Sequence, residues 1–463
     1  MYTDYLIVGA GAQGLIIADE LLTHTDAHIL MVDRRDQVGG HWNDAYSFVR
    51  LHQPSVYYGV GSHPLGSGRI EAGGLNAGLY EQATGSDVLE HFGTAFRESL
   101  LTSGRVQFLG VHEYDGDWNE EHAVRSLVTN RRTEIEVSRA IVDTTWFGVE
   151  TPETHRPGFS VAPGTPFTTP KRLPSEISGH RHVTVLGGGK TSMDVVIWLI
   201  GHGLPADQVC WVRPRDSWLT NRETAQPGDA GLLRMVESQA NRIDASAAAT
   251  SVRDLYLQME RRDELFRIDQ SVFPEMFHGA TISRGELAVL KQVEDVVRGQ
   301  RVTSIQRGSM ALSDEERVLP EDTLFVDCTA RAFNFRPPQP VFEGRRITPK
   351  VIRDGLVSFS AAAIAYVEAN YQNEDEKNAL TLPIPYEEDL VTLPKRYLTD
   401  MITQERWSKE ESLRRWARDS RLTGFGRPAD DTAKAKLREL QIAMRDRRNA
   451  AVENLSRLIG DSS

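Results

Sequence analysis

Two clusters of small residues in this chain have the types and spacing to hold a phosphate-bearing ligand. The first is Gly9-x-Gly11-x-x-Gly14, followed by Asp33 at 24 residues beyond Gly9. Glycines at these places allow a tight turn and let backbone N–H groups approach a pyrophosphate at the positive end of a helix. The acid at the end of the next strand accepts hydrogen bonds from a ribose diol. The second cluster is Gly187-x-Gly189-Lys190-Thr191-Ser192, in which Ser192 stands where a third glycine would fall and is still small enough for close packing. Its strand-end position holds Arg213, 26 residues after Gly187, with Arg215 two further on. An arginine there accommodates a 2′-phosphate, whereas an acid favours a free 2′-hydroxyl. The two units are therefore expected to bind different dinucleotides, FAD first and NADPH second. The alternative for Arg213 is an ordinary solvated charge beside Asp216. A P-loop ending at Gly189-Lys190-Thr191 fails on spacing, because its first glycine would fall on Thr184 inside a strand.

The elements around these clusters follow the expected order. Tyr5–Val8 reads as a buried parallel strand, Leu15–Leu22 as a helix and Ala27–Val32 as the next strand. His182–Leu186, Met193–Ile200 and Gln208–Val212 repeat that pattern 178 residues later. Between them, six prolines from Pro152 to Pro174 mark a linker that can be neither helix nor central strand. Residues 229–268 look helical, interrupt the second unit and could line a substrate cavity. Phe359–Val367 reads as a buried helix returning to the first domain. The expected fold is α/β, with two Rossmann-like dinucleotide-binding domains, the second inserted in the first, and a helical C-terminal segment. The expected boundaries are 1–150, 151–335, 336–397 and 398–463.

Composition bounds the rest. Net charge is −12 over 463 residues, which argues against nucleic acid or an anionic membrane as the main partner. No apolar run approaches the ~20 residues needed to span a bilayer, and the acidic first residues lack the basic start of a secretory signal. A cytoplasmic location is expected. The two cysteines, Cys210 and Cys328, lie 118 positions apart in apolar strand contexts and read as inert thiols. The 13 histidines show no metal-ligand spacing, so no metal site is expected. Residues 398–463 carry net +3 against −15 for the remainder. Leu437, Leu440, Met444, Ala451, Leu455 and Leu458 form one apolar stripe there, read as a helix packed on the body or as a homodimer contact.

A third motif, Gly39-Gly40-His41-Trp42, lets the chain pass close to a second part of a long cofactor. With this GGxW segment after the first fingerprint, the sequence resembles the class B flavin-dependent monooxygenases, which comprise flavin-containing, N-hydroxylating and Baeyer–Villiger enzymes. The run Val49–Tyr57 is similar to the leucine–histidine–proline stretch that follows GGxW in flavin-containing monooxygenases. The resemblance covers roughly residues 1–370. It departs in the linker, where the family's F-x-G-x-x-x-H is replaced by Trp146-Phe147-Gly148 with the next histidine at His155.

The resemblance implies an NADPH-reduced FAD, a C4a-(hydro)peroxyflavin and transfer of one oxygen to a small molecule, with N-hydroxylation slightly favoured. Small-molecule substrate and molecular oxygen are the implied partners. The flavin carries that chemistry, so no acid–base constellation is required. His52, Gln53 and Asn76 are the residues expected near the flavin ring. Gly40, His41, Trp42, Arg34 and Val111 are further expected cofactor contacts, and Thr144-Thr145 stands where a small-residue turn would touch flavin. The alternatives are an NADPH-dependent flavin oxidase or reductase without oxygen insertion, and a non-catalytic nucleotide-binding redox sensor. Dithiol reductases lack their cysteine pair here, flavin halogenases their W-x-W-x-I-P. Gly228-Asp229-Ala230 lies too early for the late motif of aromatic hydroxylases.

Overall fold

A computed structural model of the chain describes residues 1–331 and 336–461. Two parallel sheets organise it. In the first, the strand order is Phe342–Glu343, Arg346–Ile347, Glu136–Asp143, Tyr2–Val8, Ile29–Val32 and Val106–Leu109, parallel except for the hairpin at its first edge. Register aligns Val8 with Val32 and with Asp143, so these strands end together. That shared carboxyl edge is where open α/β sheets bind ligands.

The chain leaves this sheet after Asp143 and re-enters it at Phe342–Glu343. In between it builds the second parallel sheet, ordered Val296–Val297, Val209–Val212, His182–Leu186, Thr323–Asp327 and Phe167–Thr168. The second unit is thus inserted in the first, as the repeat of fingerprints predicts. The expected limit at 335 lies outside the described residues.

Helices Ala12–His24 and Val357–Asn370 share the core of the first unit. Every residue from Ser358 to Val367 is buried. A helix apolar all round belongs at the centre of a fold, and the small Ala361, Ala362 and Ala363 let it approach its neighbours closely.

Two elements differ from expectation. The helical stretch read over 229–268 is two helices, Gly228–Ala248 and Val252–Arg261, followed by a short strand, Leu265–Phe266. The expected boundary at 398 falls inside the helix Thr392–Lys409. Pro394 sits in the first turn of that helix, where its missing N–H costs nothing.

The C-terminal segment packs on the body, one of the two expected readings. Trp407, Leu413 and Leu422 belong to the core of the first unit. Trp416 stacks on Tyr366 and Phe359 at 4.7 and 5.3 Å and donates its indole N–H to Glu20. Arg421 donates to the carbonyls of Val56, Tyr58 and Val60. On the last helix, Asp431–Gly460, the stripe residues Ala451, Leu455 and Leu458 are buried with Leu393, Tyr397 and Met401 of the same chain, while Leu437, Leu440 and Met444 are half-buried.

Candidate functional site

At the carboxyl edge of the first sheet the fingerprint turn is shaped by its glycines. Gly9 has φ +103°, and a Cβ there would stand 2.3 Å from Thr144 Oγ1. A Cβ on Gly14 would fall 2.0 Å from the Gly9 carbonyl oxygen. The GGxW segment folds back onto this turn: a Cβ on Gly40 would lie 2.9 Å from Gly11 Cα. Gly11 caps helix Ala12–His24 with no side-chain hydrogen bond, which leaves the first-turn N–H groups available to a ligand. Asp33 holds the turn from the neighbouring strand end. Its Oδ2 accepts from Ala10 N at 2.7 Å and its Oδ1 from Arg35 N at 2.8 Å.

A cavity of about 1010 Å³ opens on this edge. Gly9, Gly11, Asp33, Arg34, Gly40 and His41 line it. Gly14, Trp42 and Val111 do not. Trp42 is buried and donates to the Tyr58 hydroxyl at 2.7 Å, so its role is to hold the loop. Val111 takes φ +56° and its N–H donates to the Arg35 carbonyl, so it shapes the turn leading to His112. His41 is exposed where it lines the cavity.

The opposite wall includes Thr144, Thr145, Trp146, Lys350 and Val357. Asp143 orders that wall: it accepts from Thr145 N and Oγ1 and pairs with Arg346 at 2.6 Å. Lys350 carried no motif signal. Its Nζ lies 4.7 Å from the Trp146 ring centre and donates to the Pro340 carbonyl at 3.0 Å. Burial lowers its pKa to about 8.

In the second unit Gly187 has φ +126°, and a Cβ would meet the Cys328 carbonyl oxygen at 2.5 Å. Around Gly189 nothing lies within 4 Å of a built Cβ, so the turn is open there. Ser192 is fully buried and its hydroxyl donates to the Gly189 carbonyl at 2.7 Å, which ties the helix start to the turn. Lys190 pairs with Asp194, whose other oxygen accepts from Tyr46 of the first unit at 2.7 Å. Thr191 lies half-buried in the first turn of the same helix.

Arg213 departs from expectation in a specific way. It is neither a surface ligand nor a solvated charge: the residue is 1% exposed, over Trp211 and 3.0 Å from Asp216. Burial lowers its pKa to about 10. Arg215 keeps partial exposure and pairs with Glu388.

Two of the three residues expected near the flavin ring, His52 and Asn76, meet at the boundary between units. Arg222, fully buried and missed in the sequence, joins them. Its Nε donates to the His52 carbonyl at 2.9 Å and its Nη1 to Asn76 Oδ1 at 2.7 Å. Glu286 completes its environment at 2.8 Å, and the Thr281 carbonyl accepts from Nη2. His52 itself is exposed. Gln53 lies apart, its Nε2 3.2 Å from where a Cβ on Gly355 would be. None of the three lines the large cavity.

Among the described residues no group of His, Cys, Asp and Glu is placed to hold a metal, and no helix is long and apolar enough to cross a membrane. Both cysteines are free and buried, and burial raises Cys210 to about 12.

Fold and site together define an α/β protein with two Rossmann-like dinucleotide-binding units. A family model described as an NAD(P)-binding Rossmann-like domain matches residues 7–65. The uncharacterized protein Rv2000 of Mycobacterium tuberculosis is 38% identical over 420 residues, covering 91% of this chain and 77% of that protein. The chain belongs to the family of this mycobacterial protein and its Mycobacterium bovis counterpart, Mb2023, which matches equally. The FAD-dependent monooxygenase resA of Aspergillus sclerotiorum is 27% identical over 218 residues, 44% of this chain and 36% of that protein. A flavin monooxygenase structure from Stenotrophomonas maltophilia shares 12% identity at a TM-score of 0.49, covering 80% of this chain and 99% of that one.

Proposed function

We propose that the protein is an FAD-dependent, NADPH-using monooxygenase acting on a small molecule. One observation carries this reading: a single cavity of about 1010 Å³ is bounded by the Gly9–Gly14 turn, Asp33 and the Gly40-His41 loop on one side and by Thr144–Trp146 and Lys350–Val351 on the other. That span suits a long dinucleotide rather than a mononucleotide. The residues fit FAD: glycines whose Cβ atoms would collide with the turn, free helix N–H groups facing the edge, and an acid at the strand end. The related fungal sequence that is named a FAD-dependent monooxygenase supports the same class.

When bound, FAD supplies hydride acceptance from NADPH and the activation of oxygen. The chain's own residues bind and orient. Asp33 accepts the ribose hydroxyls, and the first turn of helix Ala12–His24 faces the pyrophosphate. Asn76 Oδ1 is held by Arg222, which leaves its amide N–H groups to meet a substrate. Nitrogen nucleophiles are the favoured substrates, ahead of thioethers and ketones.

The altered linker favours one second reading, an NADPH oxidase or reductase. His155 does not fall on the family's spacing; its ring lies 3.3 Å from Thr329 and 3.3 Å from Glu150. Rapid mixing of the NADPH-reduced protein with oxygen decides: a transient absorbing species before flavin reoxidation, and product from an amine panel, support the monooxygenase. Direct reoxidation with stoichiometric peroxide supports the oxidase. A colourless protein that releases no flavin on denaturation sinks both. A homodimer through the C-terminal helix would use its exposed half near Ile442, which sedimentation tests, and a cytoplasmic location completes the reading.

A further inference from the structure

The strand end of the second unit carries two arginines, and the fold treats them differently. Arg213 lies 3.0 Å from Asp216 and over Trp211 with its guanidinium nitrogens buried, and at 1% exposure it offers a ligand no surface. Arg215 leaves the chain beside the fingerprint turn: its carbonyl oxygen lies 3.1 Å from where a Cβ on Gly188 would stand. Its side chain is 30% exposed, and its Nη2 donates to Glu388 Oε2 at 3.1 Å. The other oxygen of the same carboxylate, Oε1, lies 3.2 Å from Arg331 Nη1. Arg331 follows the strand Thr323–Asp327, the sheet neighbour of His182–Leu186. One carboxylate therefore bridges two cations that arrive from separate strand ends.

Glu388 belongs to neither strand. It sits just before helix Thr392–Lys409, two residues after Tyr386, which lines the cavity of the first unit. Burial works against its charge, but the hydrogen bond from Arg215 and the charge of Arg331 prevail and hold its carboxyl below the usual range. An ionised carboxylate between two guanidinium groups presents the sign and the paired oxygens of a phosphate.

We propose that Arg215 and Arg331, rather than Arg213, form the subsite for the 2′-phosphate of NADPH, and that Glu388 occupies this subsite as an internal competitor. The inference rests on the reading that the second unit binds a nicotinamide dinucleotide. A phosphate of charge about −1.5 to −2 outbids a single carboxylate for the two arginines. A dinucleotide with a free 2′-hydroxyl has no charge to set against Glu388 and leaves the bridge intact. Glu388 thus sets how strongly the phosphate is preferred.

Calorimetry on the full flavin-loaded chain tests this, with 2′,5′-ADP and 5′-ADP as probes that differ only in the 2′-phosphate. Glu388→Gln is expected to bind 2′,5′-ADP about five- to tenfold more tightly, since a like charge beside the phosphate is removed, while 5′-ADP changes by less than about twofold. Arg215→Gln and Arg331→Gln are each expected to weaken 2′,5′-ADP about tenfold through loss of a charge-assisted hydrogen bond, again sparing 5′-ADP. An unchanged 2′,5′-ADP to 5′-ADP ratio in Glu388→Gln overturns the proposal. So does a loss confined to Arg213→Lys with Arg215→Gln unaffected. If the parent protein binds neither probe, the dinucleotide reading of the second unit falls and this inference falls with it.

Discussion

Arg222 Nη1 donates to Asn76 Oδ1 at 2.7 Å across 146 positions of sequence. The same guanidinium reaches the His52 carbonyl, so one buried side chain of the inserted unit sets the position of two residues of the first. It is balanced by Glu286, itself tied to Ser283 N at the start of helix Arg284–Leu290. The arrangement makes the boundary between units a defined contact rather than a sliding one.

Arg222→Gln is expected to destabilise the protein by about 3–5 kcal/mol, because it leaves the Glu286 carboxylate buried without its partner. Urea unfolding measures it. The double variant Arg222→Gln/Glu286→Gln is expected to recover part of the loss, since the stranded charge is then gone. Strict additivity of the two changes would show that the pair is not coupled.

Gly14→Ala is expected to disrupt the first fingerprint turn, because its Cβ would stand 2.0 Å from the Gly9 carbonyl oxygen. Overpacking against backbone costs about 1–3 kcal/mol, and here the shift falls on the turn that would hold pyrophosphate. Purified Gly14→Ala protein should retain well under half the flavin of the parent. Gly189→Ala, where a Cβ meets nothing within 4 Å, should fold normally. Equal flavin content in parent and Gly14→Ala would remove the first turn from the cofactor site.

One buried histidine makes stability depend on pH. Burial, with Arg421 nearby, holds His91 at about 4, against 6.5 for the free group. His91 Nε2 accepts from Val60 N at 3.0 Å, which requires a neutral ring. Below pH 6.5 the unfolded chain takes up a proton that the folded chain refuses, so stability falls as pH drops from about 6.5 toward 4. Urea midpoints at pH 7.5 and pH 5 should differ less in His91→Gln than in the parent. An unaltered pH slope would mean that His91 ionises freely in the folded state.

Trp416→Ala is expected to cost about 3–5 kcal/mol, the usual range for truncating a large packed aromatic side chain, because Tyr366, Phe359 and Glu20 all lose their partner. The loss should appear in the same unfolding transition as the first unit. A separate transition would instead mark the C-terminal segment as an independent body.

Much of the scaffold was legible along the chain. The two fingerprints, the acid at position 33 and the return of the chain after the insertion follow from local spacing. A turn needing positive φ at Gly9 and Gly187 must be written in adjacent residues. Within the GGxW segment, Trp42 turns inward while Gly40 packs on Gly11, a division that spacing does not show. The apolar stripe of the tail points to packing on the body, but its partners are not legible, because Arg421 and Trp416 are tied to residues several hundred positions earlier.

Spacing in this chain dictates where the backbone turns and in what order the strands run, because those depend on contacts within a few residues. Side-chain direction depends on the whole packed neighbourhood. Arg213 and Arg215 are two positions apart on one strand end, and nothing local says which turns inward. Trp211 and Asp216 claim the first, leaving the second to meet Glu388 from another part of the chain. Arg222 and Lys350 had no motif to mark them, since their partners are carbonyls, a carboxylate and a ring brought together by folding alone.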